Sequence, residues 1–346
     1  MSLDRTMLEK HTRERWLPGF QVEIFDEMPL LKLLMQNGVE KASGTALKKL
    51  VVVGKNTANG QVSGYGLILT QESDITAMAQ LNYSSFYYAT VSISLEEEDE
   101  NSGINEAMVS MVETKMTVAK ETLRENVNKH LYLNLATHDG TANGLKTVVG
   151  LDAICDTTNT YANINRATAG NEGWQSNRFT TTCTDAELIN AAVPAKYFPS
   201  ILRLRWLATA HTGGANTPTT IVMTKALYEL LEYIGETANL RFLGNIANFA
   251  FDEVKLGVQG VQGAKAPAVT WDAYCTAKRA FWISPKHFKS SVFPGRNFES
   301  PKMKDGGYWR EGQQQLAAYM PIVFKGQILC VSPRQQATAT ALGDAS

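Results

Sequence analysis

The feature that most constrains this chain is a run of helical periodicity from 102 to about 137, preceded by the acidic block EEEDE at 96–100. Apolar residues recur at Ile104, Met108, Met111, Val112, Val118 or Ala119, Leu123, Val127 and Leu131, one stripe at helical spacing. A helix of that length spans about 50 Å, far beyond the globular mean of about 11 residues. It needs neighbours along its length, and the strands before and after it can supply them. Asn101 or Ser102 can N-cap it, and the acidic block sets negative charge at the positive end of the helix dipole. That block reads equally as a solvated helix start and as a contact element. The helix ends before the turn cluster DGTANG at 139–144.

The rest of the chain falls into ordered segments. Residues 1–46 read as an arm: charges alternate in sign from Asp4 to Arg15, Pro18-Gly19 breaks any helix, and the apolar stretch VEIFDEMPLLKLLMQNG ends at Gly38 as a C-cap. Such an extension needs a host surface, from this chain's body or from a neighbour's. Residues 47–100 read as a hairpin, with a strand at 50–53, the turn GKNTANG at 54–60 and a return strand at 62–70. In FYYATVSISL, Val91, Ile93 and Leu95 alternate with Thr90, Ser92 and Ser94, a half-buried strand. The intervening ESDITAMAQLNYSS reads as a short helix or loop.

Beyond 145 come short strands and irregular segments, then a mixed α/β unit. Its parts are a largely helical stretch at 185–210 interrupted at Pro194 and Pro199, a buried strand at 220–223, and an amphipathic helix at 225–238. Strands with glycine turns follow at 250–272, then a strand at 281–284 and a long polar loop at 294–312. The end of the chain reads as strands 316–320 and 323–331 paired with each other, with a disordered tail ATATALGDAS.

None of these segments carries recognisable chemistry. The histidines (His11, His130, His138, His211, His287) form no metal-binding spacing, and His130 reads as a packed or solvated helix histidine. Cys155, Cys183, Cys275 and Cys330 are far apart with no CxxC pair and read as buried, reduced thiols. There is no P-loop, no GxSxG elbow, and the GYG at 64–66 lies mid-strand and opens no helix. The six tryptophans read as core or interface anchors. No catalytic, cofactor-binding or metal-binding residue is nominated. A net charge of -1 gives no electrostatic case for tight nucleic-acid binding. No signal peptide or membrane span is legible, so a cytoplasmic site of synthesis is expected. Charged residues are only 19% of a chain rich in amides and hydroxyls, a composition suited to broad, wet protein interfaces.

Several pieces, in order, carry a resemblance. The hairpin and acidic run precede the long helix. Then come GLDAI at 150–154 and YANINRATAGNEGW at 161–174, with Ala162 and Asn163 where glycines are commoner. TTIVMTKALYELLEYIGE at 219–236, Arg241-Phe242, FDEVKLGVQG and Trp271-Asp272 follow, and LCVSPRQQA has Ser332 in place of an asparagine. Together these resemble the tailed-bacteriophage major capsid proteins of the Hong Kong ninety-seven fold.

The resemblance implies an α+β fold in four parts: an N-arm (1–46), an E-loop lying across a neighbouring subunit (47–100), a discontinuous peripheral domain (101–150 and 285–346) and an axial domain (151–284). GLDAI is expected as a strand. Hexamers and pentamers of one chain would form an icosahedral shell around packaged double-stranded DNA, held without sequence specificity, with a separate scaffolding protein, a portal protein and a decoration protein as expected partners and no membrane partner. The assembly-contact candidates are Lys55, Asn56 and Asn59 at the E-loop tip, Glu97, Glu98 and Asp99 at the start of the spine helix, and Arg296, Asn297, Lys302 and Lys304 in the peripheral-domain loop. Lys55 and Asn297 are the counterparts of a lysine–asparagine pair that cross-links in some relatives, with non-covalent assembly as the default. The alternatives are an encapsulin-like compartment shell, which shares the fold, and a soluble α/β enzyme.

Overall fold

The structure is a computed structural model of the chain. It describes residues 28–35, 38–56, 58, 75–94, 96–97, 105–133, 146–180, 218–229, 254–255, 268–302, 309–311, 317–340 and 342. Its helices are α1 (Pro29–Met35), α2 (Asn105–His130) and the single turn α3 (Leu151–Ile154). The strands of the first half are β1 (Val39–Lys41), β2 (Ala46–Val52), β3 (Thr76–Asn82), β4 (Tyr87–Ser94), β5 (Thr160–Tyr161), β6 (Ile164–Asn165) and β7 (Asn177–Thr180). Those of the second half are β8 (Thr220–Met223), β9 (Val254–Lys255), β10 (Ala268–Trp271), β11 (Ala280–Ile283), β12 (Phe288–Glu299), β13 (Arg310–Glu311), β14 (Ala317–Cys330) and β15 (Ala337–Thr340).

The apolar piece of the arm finds its host in the chain's own body. Helix α1 starts on a proline, whose missing N–H is no loss in the first turn, and buries Leu30, Leu31 and Leu34. Gly38 follows at φ +88°, the left-handed C-cap that the sequence predicts, and its N–H donates to the Met35 carbonyl (3.3 Å). β1 then pairs in parallel with β12, and Ser290 Oγ donates to the Leu34 carbonyl (3.1 Å).

The first sheet has five strands in the order β1-β12-β14-β13, with β4 also paired to β14. The expected pairing of 316–320 with 323–331 is not formed: Ala317–Cys330 is one straight strand that runs through Pro321. Pro321 lies opposite Thr90 of β4. On the other edge of β14 it falls between the residues paired with β13 and those paired with β12, so a missing N–H breaks no ladder there. β4 alternates as the sequence predicts, with Val91 and Ile93 buried and Thr90 and Ser92 exposed.

Helix α2 packs across β4 through Val112, Met116, Ala119, Leu123 and Val127. Ala119 rather than Val118 faces inward; Val118 is exposed. Beside the apolar stripe runs a second buried one, Lys120, Arg124 and Asn128, at four-residue spacing. The described helix ends at His130, short of the expected 137, because tertiary bonds turn the chain there. Leu131 gives its carbonyl to the Leu151 N–H (2.7 Å), Asn128 Nδ2 donates to both oxygens of Asp272 (3.1 Å), and Thr276 Oγ1 donates to the Tyr132 carbonyl (3.1 Å). Inside the sheet–helix layer His130 Nδ1 lies 2.9 Å from Tyr87 Oη, which also accepts the Val148 N–H (3.0 Å). The N-caps expected at Asn101 or Ser102 lie outside the described residues.

The second sheet is mixed, with six strands in the order β7-β15-β11-β8-β10-β9. β8 is buried throughout, as expected. The tail read as disordered instead supplies β15, an inner strand whose four residues are all buried between β7 and β11. Small alternating Ala and Thr carry no periodic signal, yet they fit a close-packed sheet interior where larger side chains would not. Residues 285–346 thus contribute to both sheets, β12 to β14 in one and β15 in the other. Residues 225–229 are helical, while the remainder of that expected helix and the stretch at 185–210 lie outside the described residues.

GLDAI folds as the helical turn α3, not as a strand. The cause is Arg166, wholly buried, which donates to the carbonyls of Ala153 (3.0 Å), Ile154 (2.8 Å) and Asp156 (2.8 Å) and so satisfies the turn's C-terminal end. Its guanidinium lies 4.9 Å from the Tyr161 ring centroid, and Tyr161 stacks on Trp174 at 5.7 Å. Trp174 Nε1 donates to the Tyr161 carbonyl (3.1 Å), and Tyr161 Oη accepts the Cys330 N–H at the end of β14 (2.9 Å). Burial pushes the Tyr161 phenol up and the Arg166 guanidinium down. Ala162 (φ 51°) and Asn163 (φ 66°) form a left-handed two-residue turn between β5 and β6, so the hairpin keeps the turn that glycines would make.

Cys155, Cys275 and Cys330 are free and buried, with burial pushing the Cys330 thiol up to about 12. Arg166→Met strips three buried carbonyls of their donor. It should lower stability by about 2–4 kcal/mol in urea unfolding, whereas a loss under about 0.5 kcal/mol would remove Arg166 as the strut of this region.

Candidate assembly surface

The β2–β3 hairpin is a two-stranded sheet with Leu50 opposite Met78 and Val52 opposite Thr76. β3 occupies part of the segment read as helix or loop. Ala, Met and Gln favour helix, but pairing with β2 and the inward alternation of Ala77, Ala79 and Leu81 override that preference. The expected return strand at 62–70 lies outside the described residues.

A hairpin of this size is marginal on its own and is held here from one side. Val51, Val53 and Ala79 are buried in the body's core. Gln80 N–H donates to the Ala162 carbonyl (2.8 Å), and Gly173 N–H to the Val53 carbonyl (2.7 Å). At the root two glycines permit backbone-to-backbone contact: a Cβ on Gly54 would fall on the Gly170 carbonyl, and one on Gly173 would stand 2.5 Å from the Val53 oxygen. At the far end of β3, buried Gln327 of β14 donates from Nε2 to the Asn82 carbonyl (2.8 Å) and accepts the Val149 N–H (2.9 Å).

The opposite face is apolar and open. Leu50 is 68% exposed, Val52 64% and Met78 56%. Large apolar side chains clustered on one face of a pinned hairpin mark a contact surface. The sequence reading looked to the polar turn and missed these residues; once β2 and β3 are paired, their alternation reveals them.

The nominated residues separate. Lys55 and Asn56 are exposed just past the Gly54 root, where Asn56 Oδ1 accepts the Ala58 N–H (2.8 Å). Asn59, Glu98, Asp99 and Lys304 lie outside the described residues. Glu97 is engaged within the chain: Ser94 and Glu97 exchange reciprocal bonds (Ser94 N–H to Glu97 Oε2, 3.0 Å; Glu97 N–H to Ser94 Oγ, 3.1 Å), a capping box. Lys115 Nζ donates to both Glu97 oxygens at 2.7 Å, and this bond with the Ser94 N–H holds the carboxyl below its usual range.

The expected loop at 294–312 is in part strand. Residues 294–299 belong to β12, which keeps its pairing with β14 through register shifts on either side of Asn297. Gly295 (φ 68°) and Phe298 (φ 55°) take left-handed conformations at these irregularities, and Phe298 is held there by stacking on Phe324 at 4.5 Å. Arg296 donates to the Gly295 carbonyl (3.1 Å), the Asn297 Oδ1 is buried with no hydrogen-bond partner among the described residues, and Lys302 is exposed. Among the described residues no bond joins Lys55 to Asn297. Among the described residues no cluster could hold a metal ion, and no helix is long and apolar enough to cross a membrane.

With two sheets, a long helix packed across β4 and a pinned hairpin, the chain has the α+β fold of tailed-phage major capsid proteins, the Hong Kong ninety-seven fold. Solved structures show this. The chain is similar to the capsid protein of cyanophage A-1(L), at TM-score 0.62 and 17% identity over 92% of this chain and 93% of that one. It is similar to the capsid of an empty GTA particle, at TM-score 0.56 and 9% identity over 90% of each chain. It is also similar to a solved structure from Mycobacterium phage Bobi, at TM-score 0.51 and 9% identity over the whole of both chains. No protein-family model matches the sequence, and no curated protein matches it.

Gly173→Ala tests the hairpin root. The added methyl collides with the Val53 carbonyl and should cost about 1–3 kcal/mol in urea unfolding. Unchanged stability would show that the root is not close-packed.

Proposed function

We propose that this chain is a major capsid protein that assembles as hexamers and pentamers into an icosahedral shell around packaged double-stranded DNA. Its role is structural rather than enzymatic, and its place is the virion, after assembly in a bacterial cytoplasm. The observation that carries this reading is the exposed apolar face of Leu50, Val52 and Met78 on a hairpin fixed to the body from its other side, in a chain whose fold is that of phage capsid proteins. Fully burying side chains of this kind is worth about 1.5–3 kcal/mol each. A contact repeated around closed symmetry needs little more than that per copy.

In this reading 1–46 is the arm, 47–100 the E-loop, 101–150 and 285–346 the peripheral domain, and 151–284 the axial domain. Lys55, Asn56 and Asn59 stand at the E-loop tip, and Arg296, Asn297, Lys302 and Lys304 face neighbouring subunits. A separate scaffolding protein guides closure, a portal protein occupies one vertex, and a decoration protein can bind the finished shell. A net charge of -1 suits a wall that encloses DNA without binding it tightly.

The test is assembly of Leu50→Asp/Met78→Asp against the unaltered chain, expressed alone and with a scaffolding protein, read by light scattering. Both substitutions are on solvent-facing positions, so subunit stability should change by no more than about 0.5 kcal/mol each. The unaltered chain should give shells and the variant only subunits or small oligomers. Shells from the variant at the normal yield would remove the hairpin face from the assembly contact.

A further inference from the structure

A second surface stands apart from the hairpin. Phe86, between β3 and β4, is 53% exposed, and two cations crowd it. Lys325 Nζ lies 4.8 Å from the Phe86 ring centroid and 4.6 Å from that of Phe293, so the ammonium is placed between two aromatic faces. The Arg296 guanidinium lies 5.9 Å from Phe86. Phe293 is braced in turn by Tyr83, edge-on at 4.9 Å. The backbone of Lys146 is tied beside Phe86: its carbonyl accepts the Ser85 N–H (2.7 Å) and its N–H donates to Ser85 Oγ (3.1 Å). Among the described residues none of Lys146, Arg296 and Lys325 takes part in an ion pair. The rings orient Arg296 and Lys325, and no carboxylate among the described residues neutralises them.

A cationic, aromatic patch on a chain of net charge -1 calls for an acidic partner, and the chain carries one. The block EEEDE at 96–100 is its densest negative charge. Glu97 is spent on Ser94 and Lys115, and this capping box fixes where the block begins. Glu96 is exposed, and Glu98, Asp99 and Glu100 add three further carboxylates in sequence. No ion pair joins Glu96 or Glu97 to the patch of the same chain. In an assembly of identical chains, a surface and its complement on different parts of the molecule meet between copies.

We infer that the Phe86–Arg296–Lys325 patch receives the acidic 96–100 block of a second copy, as a charge-selected contact between subunits. The inference rests on the shell reading above and names a pair of surfaces for it. Two aromatic faces hold Lys325 and one holds Arg296 before docking, so little side-chain freedom is lost on contact. Carboxylates then supply the missing counter-charge and set register more than affinity.

A charge swap tests it. Three full-length variants are compared with the unaltered chain by negative-stain microscopy and sedimentation: Arg296→Glu/Lys325→Glu, Glu96→Lys/Glu98→Lys/Asp99→Lys/Glu100→Lys, and the two sets combined. Glu97 is left in place so that the helix start and the Lys115 bond survive. Arg296→Gln/Lys325→Gln serves as a milder variant should the reversal perturb folding. Each reversal alone should lower shell yield about tenfold or more, and the combination should restore it to within about threefold. Single reversals that assemble normally, or a combined variant no better than either, would overturn the pairing while leaving the shell reading intact. Normal shells from the Arg296/Lys325 variants with less co-purified nucleic acid would assign the patch to stacked bases and phosphates instead, and overturn it too. If the unaltered chain forms no shells, the shell reading fails and the pairing falls with it.

Discussion

Strand β14 is the constraint on which the rest of the molecule depends. Its fourteen residues pair with β4 on one edge and with β12 and β13 on the other. Through β4 it presents the surface on which the long helix lies. Through Gln327 it ties the end of the β2–β3 hairpin and the segment after the helix, and through the Cys330 N–H it meets Tyr161 and the Arg166 strut. The chain then turns at Pro333–Gln335 and enters the second sheet as β15. One strand thus couples both sheets, the helix layer and the Asn82 end of the hairpin, and a displacement of any of them is felt at β14.

Polar side chains do much of this coupling. Gln327 and Gln336 are almost wholly buried, and each answers several backbone groups at once. Gln336 Oε1 accepts the Ser284 N–H (2.7 Å), while its carbonyl accepts Ser176 Oγ (2.8 Å) and the Asn177 N–H (3.3 Å). Arg166 serves three carbonyls, and no carboxylate among the described residues pairs with it. Buried groups of this kind must be satisfied or they destabilise, so each one specifies a single arrangement of the segments it joins. The amide-rich, charge-poor composition, which reads as suited to wet interfaces, is partly used inside the molecule. What the surface exposes is apolar on the hairpin and cationic-aromatic around Phe86.

Elements with a strong periodic signal were legible in the sequence. The stripe through Val112, Leu123 and Val127 marked α2, the alternation at Val91 and Ile93 marked β4, Gly38 marked the end of α1, and 220–223 read correctly as a buried strand. Failures came where tertiary partners outrank local preference. β3 is built of helix-favouring residues and is a strand because β2 pairs with it. GLDAI is helical because Arg166 caps it from twelve residues on. β14 runs through a proline because its neighbours leave a gap there, and β15 is assembled from alanines and threonines that announce nothing. The candidate contact residues were chosen by polarity and turn chemistry, which nominated Arg296 and passed over the exposed Leu50, Met78 and Phe86 and the ring-bound Lys325. Their exposure and grouping depend on cross-strand register and on a ring brought in from β12, which no local pattern encodes.

The most direct test of the account is a cryo-electron microscopy reconstruction of particles formed by the full-length chain, alone or with a scaffolding protein. The account predicts a closed shell of six- and fivefold rings in which Leu50, Val52 and Met78 are covered by a neighbouring subunit while the hairpin root stays packed against Gly170 and Gly173 of its own chain. A chain that remains monomeric under both conditions would contradict it, as would a shell in which that hairpin face is open to solvent.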